Sequence, residues 1–130
     1  MFVDASALCA ILLGEEGRAS LEERIARTDH PLTSAVAVWE TARALVREQG
    51  IDVAQALIDV EEFLDRGRFS VVPIGVDEQR LALQAFDRFG KGRHPASLNM
   101  GDCFAYACAR SHGVPLLYKG DDFSQTDIAG

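Results

Sequence analysis

The chain has 130 residues and a formal net charge of −7, with 48% hydrophobic and 25% charged residues. That length suits a single domain, residues 1–130, with a sizeable core. The acidic balance argues against a general electrostatic nucleic-acid binder, and no apolar run approaches the roughly 20 residues of a membrane span.

The start, MFVDASALCAILLG, is apolar but carries an acid at position 4 and no basic segment, so it does not read as a signal peptide. Cys9, Cys103 and Cys108 form no CxxC pair and no even framework. Reduced thiols packed as small apolar groups, in a cytoplasmic protein, are the simplest reading.

In chain order, MFVD reads as a buried strand ending at Asp4. Ser6 is the expected cap of a short helix running to Leu13, broken by Gly14 to Gly17. Ala19 to Arg27 is a second helical segment, and Pro31 to Thr33 a short extended piece. Ala35 to Gln49 is a strong helix stopped by Gly50. Asp52 caps the next, where Val53, Ala56, Leu57, Val60, Phe63 and Leu64 form an i, i+3, i+4, i+7 stripe ended by Gly67. Phe69 to Ile74 is β-branched and strand-like. Asp77 is the expected cap of a helix from Glu78 to Phe89, closed by Gly90. KGRHPASLN is polar and turn-rich, hence a loop. Gly101 to His112 is helical with Asp102 at its front, and Pro115 to Tyr118 is a final strand followed by KGDDF.

Strands alternating with helices imply a parallel sheet between helical layers. Asp4 then lies at the end of the first strand, Asp121 and Asp122 follow the last, and Asp102 starts the helix that feeds it. Sites in open α/β sheets form outside the carboxyl ends of the strands, so this order allows the acids to converge at one edge. Clustered carboxylates repel and raise one another's pKa unless a cation fills the space between them. Hard divalent ions, Mg²⁺ or Mn²⁺, suit all-oxygen ligands, and the chemistry that fits is hydrolysis of a phosphodiester. Zinc fits poorly, because His30, His94 and His112 are scattered. Glu40, near the N-terminal half of its helix, is placed to join the pocket. Each acid also has an ordinary reading: a turn or cap at Asp4, a helix start at Asp102, a solvated charge at Glu40, turn chemistry at Asp121–Asp122.

Taken together, FVDASAL, Glu40 in TSAVAVWETA, KGRHPASLNMGDC around Asp102 and PLLYKGDDFSQTDI resemble a PIN-domain ribonuclease of the VapC toxin type, over essentially the full chain. The resemblance implies a three-layer α/β/α fold with a mostly parallel central sheet. It implies a Mg²⁺-dependent (Mn²⁺ possible) endoribonuclease acting on cellular RNA such as tRNA or rRNA, a toxin neutralised by a cognate antitoxin protein, and a homodimer with no membrane association. By position, Asp4 and Asp102 are the metal ligands and Glu40 the third acid. Asp122 is the fourth, with Asp121 adjacent as its alternative. Ser6, Asn99, Thr33 and Ser34 look like groups that orient the carboxylates. Arg43, with Arg47 a turn further, Lys91, Arg93, His94 and Lys119 are a candidate rim for RNA phosphates. The rival readings are an inactive PIN-like module that binds RNA or protein, and a DNA-directed metal nuclease. The latter is opposed by the absence of added arch or clamp helices. An aspartyl phosphotransferase would want a second acid after Asp4-Ala5, where Ser6 stands instead.

Overall fold

The computed structural model describes residues 1–128. Its strands are short: β1 (Phe2–Val3), β2 (Leu32–Ser34), β3 (Ser70–Val72) and β4 (Leu116–Leu117). They form one sheet in the order β3-β2-β1-β4, every pairing parallel. The helices are α1 (Ala5–Leu12), α2 (Arg18–Ala26), α3 (Ala35–Gln49), α4 (Val53–Arg66), α5 (Val76–Phe89) and α6 (Met100–His112), followed by a 3-10 turn at Phe123–Gln125. This is the expected α/β/α architecture.

Successive strand residues face opposite sides, and that alternation divides the core. Phe2 pairs in register with Leu116, and Val3 with Leu117. Phe2 and Leu116 join Ala82, Ala85, Phe89, Cys103, Tyr106 and Cys108 under α5 and α6. Val3 and Leu117 join Leu8, Ile11, Leu21, Ile25, Leu45, Val60 and Leu64 under α1 to α4. The chain winds outward from β1 through β2 to β3, then crosses back to lay β4 on the other side of β1. The strand order therefore reverses between β1 and β4, where such sheets leave a crevice at their carboxyl ends.

Helix α1 ends at Leu12 and α2 spans Arg18–Ala26, each within a residue of expectation, and three helix starts differ in how they are made. Asp4, not Ser6, caps α1: its Oδ2 accepts the Ser6 N–H at 3.0 Å, and the helix begins at Ala5. Helix α5 begins at Val76 rather than Glu78, and Asp77 is not its cap. Gly75 has no side chain to cap with, so Glu78 takes its N–H at 2.8 Å instead. Helix α6 begins at Met100 behind Asn99, which makes Asp102 its third residue rather than its opening one. The strand expected over Phe69 to Ile74 is confined to Ser70–Val72, because Pro73 has no N–H to continue a ladder. Gly50 and Gly113 end α3 and α6 in the left-handed region, at φ 67° and 64°, where a side chain would be strained.

The KGRHPASLN loop is closed on itself. Lys91 N–H donates to the Leu98 carbonyl at 2.9 Å, and Leu98 N–H to that of Phe89 at 3.0 Å. The three thiols are free, and burial pushes each up to about 11, so they pack as neutral groups. Among the described residues no helix is long and apolar enough to cross a membrane.

Candidate active site

Asp4 is the deepest acid. It leaves β1 and caps α1, with 3% of its surface exposed. Its N–H donates to the Leu117 carbonyl at 2.9 Å, which fixes it beside the end of β4. Burial raises its pKa, the Ser6 hydrogen bonds oppose that, and the charge of Asp122 adds to it.

Glu40 sits in the second turn of α3, half-buried. Burial first, then the charges of Asp4 and Asp102, push its carboxyl up to about 7, against the pull of Arg43. The same carboxylate lies directly over Gly101: a Cβ built there would fall among the Oε1, Oε2 and Cδ atoms of Glu40. Asp102 is likewise pushed up to about 7. Burial is the largest cause and the Asn99 backbone N–H opposes it, while the charges of Asp4 and Asp122 raise it further. The four acids thus come from four places: a strand end, α3, α6 and the segment after β4. Asp122, rather than Asp121, is the member of the pair whose charge acts on Asp4 and Asp102. Asp121 is exposed and uses its carbonyl to accept the Ser124 hydroxyl at 2.7 Å.

The supporting residues divide. Ser6 gives its N–H to Asp4, and its hydroxyl accepts the Lys119 N–H at 3.0 Å, stapling the segment after β4 to the start of α1. Asn99 and Asp102 bond reciprocally, N–H to side-chain oxygen. Thr33 and Ser34 do not reach the acids. Thr33 is buried and donates to the Val3 carbonyl at 3.0 Å. The Ser34 hydroxyl accepts the Ala37 N–H at 3.2 Å as the cap of α3. Ser34 thus acts on the helix that carries Glu40, and Thr33 on the neighbouring strand β1.

The basic candidates are also uneven. Arg43 acts on Glu40 and stacks over the exposed Trp39 ring at 5.6 Å. Lys119 pairs with Glu15 at 3.0 Å, Arg93 with Asp87 at 3.1 Å and Arg47 with Glu48 at 3.0 Å, all on the surface. Lys91 is exposed at the start of the loop. His94 is turned inward, its ring edge-on to Phe89 and its Nδ1 accepting the Ala96 N–H.

The donor set is all carboxylate oxygen, which suits a hard divalent ion. Among the described residues, however, no three such side chains already surround one point closely enough to form a closed shell. An ion that keeps several of its waters takes only one or two carboxylates directly and needs no closed shell.

The PIN domain family matches residues 1–129 of this chain. Ribonuclease VapC42 of Mycobacterium tuberculosis is 38% identical over 129 residues, covering 98% of this chain and 96% of its own. The chain belongs to the VapC ribonucleases of the PIN domain family. A VapC ribonuclease of Rhizobium meliloti is 40% identical over 139 residues, covering 98% of each chain. Ribonuclease VapC of Mycolicibacterium smegmatis is 39% identical over 129 residues, covering 99% of this chain and 98% of its own. Among solved structures, VapC20 of Mycobacterium tuberculosis, a Sarcin-Ricin loop cleaving toxin, superposes with a TM-score of 0.78 at 18% identity, covering 98% of this chain and 95% of that one. At that identity the likeness is one of fold, and it agrees with the VapC architecture described above.

Two features of the site escape a reading of the sequence. The approach of Glu40 to Gly101 joins residues on different helices, and the only local sign is a glycine inside the first turn of α6. The anchoring of the final segment is the other. Asp127 accepts the Tyr106 hydroxyl at 2.7 Å and pairs with Arg110 at 2.9 Å and Arg88 at 3.2 Å.

Proposed function

We propose that this VapC-family chain is the toxin of a type II toxin–antitoxin pair, an endoribonuclease that hydrolyses phosphodiester bonds of cellular RNA, tRNA or rRNA, with Mg²⁺ or Mn²⁺. The observation that carries the reading is the gathering of Asp4, Glu40 and Asp102 from separate elements, where burial raises all three carboxyls and the charge of Asp4 raises the other two further. Strongly perturbed carboxyls cluster at functional sites, and a divalent ion would relieve the repulsion among these.

Asp4 and Asp102 would hold the ion, with Glu40 and Asp122 closing the site around it. The ion supplies charge neutralisation at the scissile phosphate and a water of lowered pKa. Glu40, half-buried beside Asp4 and Asp102, would orient an attacking water and accept its proton. Asn99 keeps one oxygen of Asp102 engaged and so fixes the direction of the other. Ser6 does the same for Asp4 through its N–H. Arg43, Lys91, Arg93 and Lys119 would meet RNA phosphates. The surface pairs that now hold Lys119 and Arg93 are worth at most about 1 kcal/mol, so exchange for a phosphate costs little. A cognate antitoxin and a homodimer complete the reading.

Purified protein incubated with total RNA and Mn²⁺ tests it, with EDTA and Asp4→Asn as controls. Cleavage that needs both the metal and Asp4 supports the proposal. RNA binding without cleavage returns the inactive-module reading. Cleavage of DNA in place of RNA returns the DNA nuclease.

A further inference from the structure

We propose that Gly101 is a positioning residue: its missing side chain is the space in which the Glu40 carboxylate is seated beside Asp102. The inference rests on the acids being a cation site and names what sets their spacing.

Gly101 is buried and second in α6. Its φ lies outside the left-handed region, so the backbone does not require glycine there. Glycine is also a poor helix former, and alanine would favour the helix. What fills the space is Glu40: the three atoms nearest a Cβ at 101 are its Oε2, Oε1 and Cδ. A Cβ at Gly113, Gly92 or Gly50 meets nothing within 4 Å, and one at Gly90 meets the Phe86 carbonyl as well as its ring. At Gly101 the obstacle is the charged end of one flexible side chain. The obstruction is therefore relieved by swinging Glu40 away, with the helices left in place.

The position next to Asp102 matters for a second reason. The first turn of a helix has N–H groups with no carbonyl partner in the helix, and it tolerates a neighbouring anion. Seated over Gly101, Glu40 packs against the first turn of α6 while α3 carries it. Its carboxylate is thereby kept against the residue next to Asp102.

The test is a double-mutant cycle of Gly101→Ala and Glu40→Ala, read by Mn²⁺ affinity in calorimetry, melting temperature and RNA cleavage. Gly101→Ala is expected to melt within about 3 °C of wild type and to lose Mn²⁺ affinity as Glu40→Ala does, by about 10-fold or more. In the Glu40→Ala background, Gly101→Ala is expected to have no further effect. If Gly101→Ala lowers the melting temperature, the proposal predicts that Glu40→Ala restores it. A fall in melting temperature that persists in the double variant means Gly101 serves the helix itself, and overturns the proposal. Wild-type Mn²⁺ affinity in Gly101→Ala, with affinity lost in Glu40→Ala, overturns it too while leaving the cation site standing. Wild-type Mn²⁺ affinity and cleavage in Glu40→Ala overturn both together.

Discussion

Asn99 and Asp102 hold each other across the first turn of α6. The Asp102 N–H donates to the Asn99 side-chain oxygen at 2.9 Å, and the Asp102 carboxylate accepts the Asn99 N–H at 3.1 Å. One pair of bonds thus caps a helix and aims an acid. Asn99→Ala is expected to cost about 1 kcal/mol of stability in urea unfolding. It is also expected to lower the cleavage rate more than the affinity for RNA, because Asp102 is then free to turn. Asn99→Ser, which keeps a capping oxygen, should recover most of the stability.

The raised carboxyls make stability depend on pH in an unusual direction. Glu40 and Asp102 titrate at about 7 in the cation-free protein, and Asp4 is raised as well. Unfolded, all three return to about 4. Between those values the folded chain holds more protons than the unfolded one, so stability falls as pH rises through the window. With EDTA present, the melting temperature is expected to be higher at pH 5 than at pH 8. Mn²⁺ should raise it most at pH 8. A cation-free melting temperature that climbs from pH 5 to pH 8 would count against the clustering.

Asp4→Asn should separate stability from activity. Asparagine caps a helix as well as aspartate does, so the bond to the Ser6 N–H survives while the buried charge disappears. The expected result is a melting temperature equal to or above wild type, together with a loss of cleavage of at least about 100-fold. A large drop in stability would show that Asp4 is needed for folding rather than for chemistry.

Tyr106 is buried in α6 and reaches Asp127, which Arg88 and Arg110 also grip. Burial alone would raise Asp127; the Tyr106 hydrogen bond and the two guanidinium groups hold it below the usual carboxylate range. This clasp anchors the segment that carries Asp122. Tyr106→Phe is expected to cost about 1 kcal/mol, a fall of roughly 3–6 °C in melting temperature. Cleavage should decline modestly, since the two ion pairs remain.

The alternation of strands and helices was legible because each type of segment carries its own hydrophobic period, and the sheet order follows from ordinary connection rules. Helix starts were less legible. Asp77 has the right chemistry for a cap, but Glu78 does that job by reaching back to a glycine that has no side chain of its own. Asp4 and Asp102 were visible as acids next to a strand end and a helix start. Glu40 was not separable from a solvated helix charge without the resemblance, and its seat on Gly101 exists only in three dimensions. Lys119 and Arg93 read as free cations in sequence. Their partners Glu15 and Asp87 are found only once the chain is folded, because spacing along a chain says nothing about distant charges.

The division of the core has a mechanical outcome. Glu40 rides on the layer built around Leu45 and Val60, Asp102 on the layer built around Phe89 and Tyr106, and Asp4 on the sheet between them. An ion held by Asp4 and Asp102, with Glu40 against it, would be a rivet through the sandwich, fastening two slabs on either side of a sheet whose strands are two or three residues long. Its capture should slow amide exchange on both sides at once, far from the carboxylates themselves.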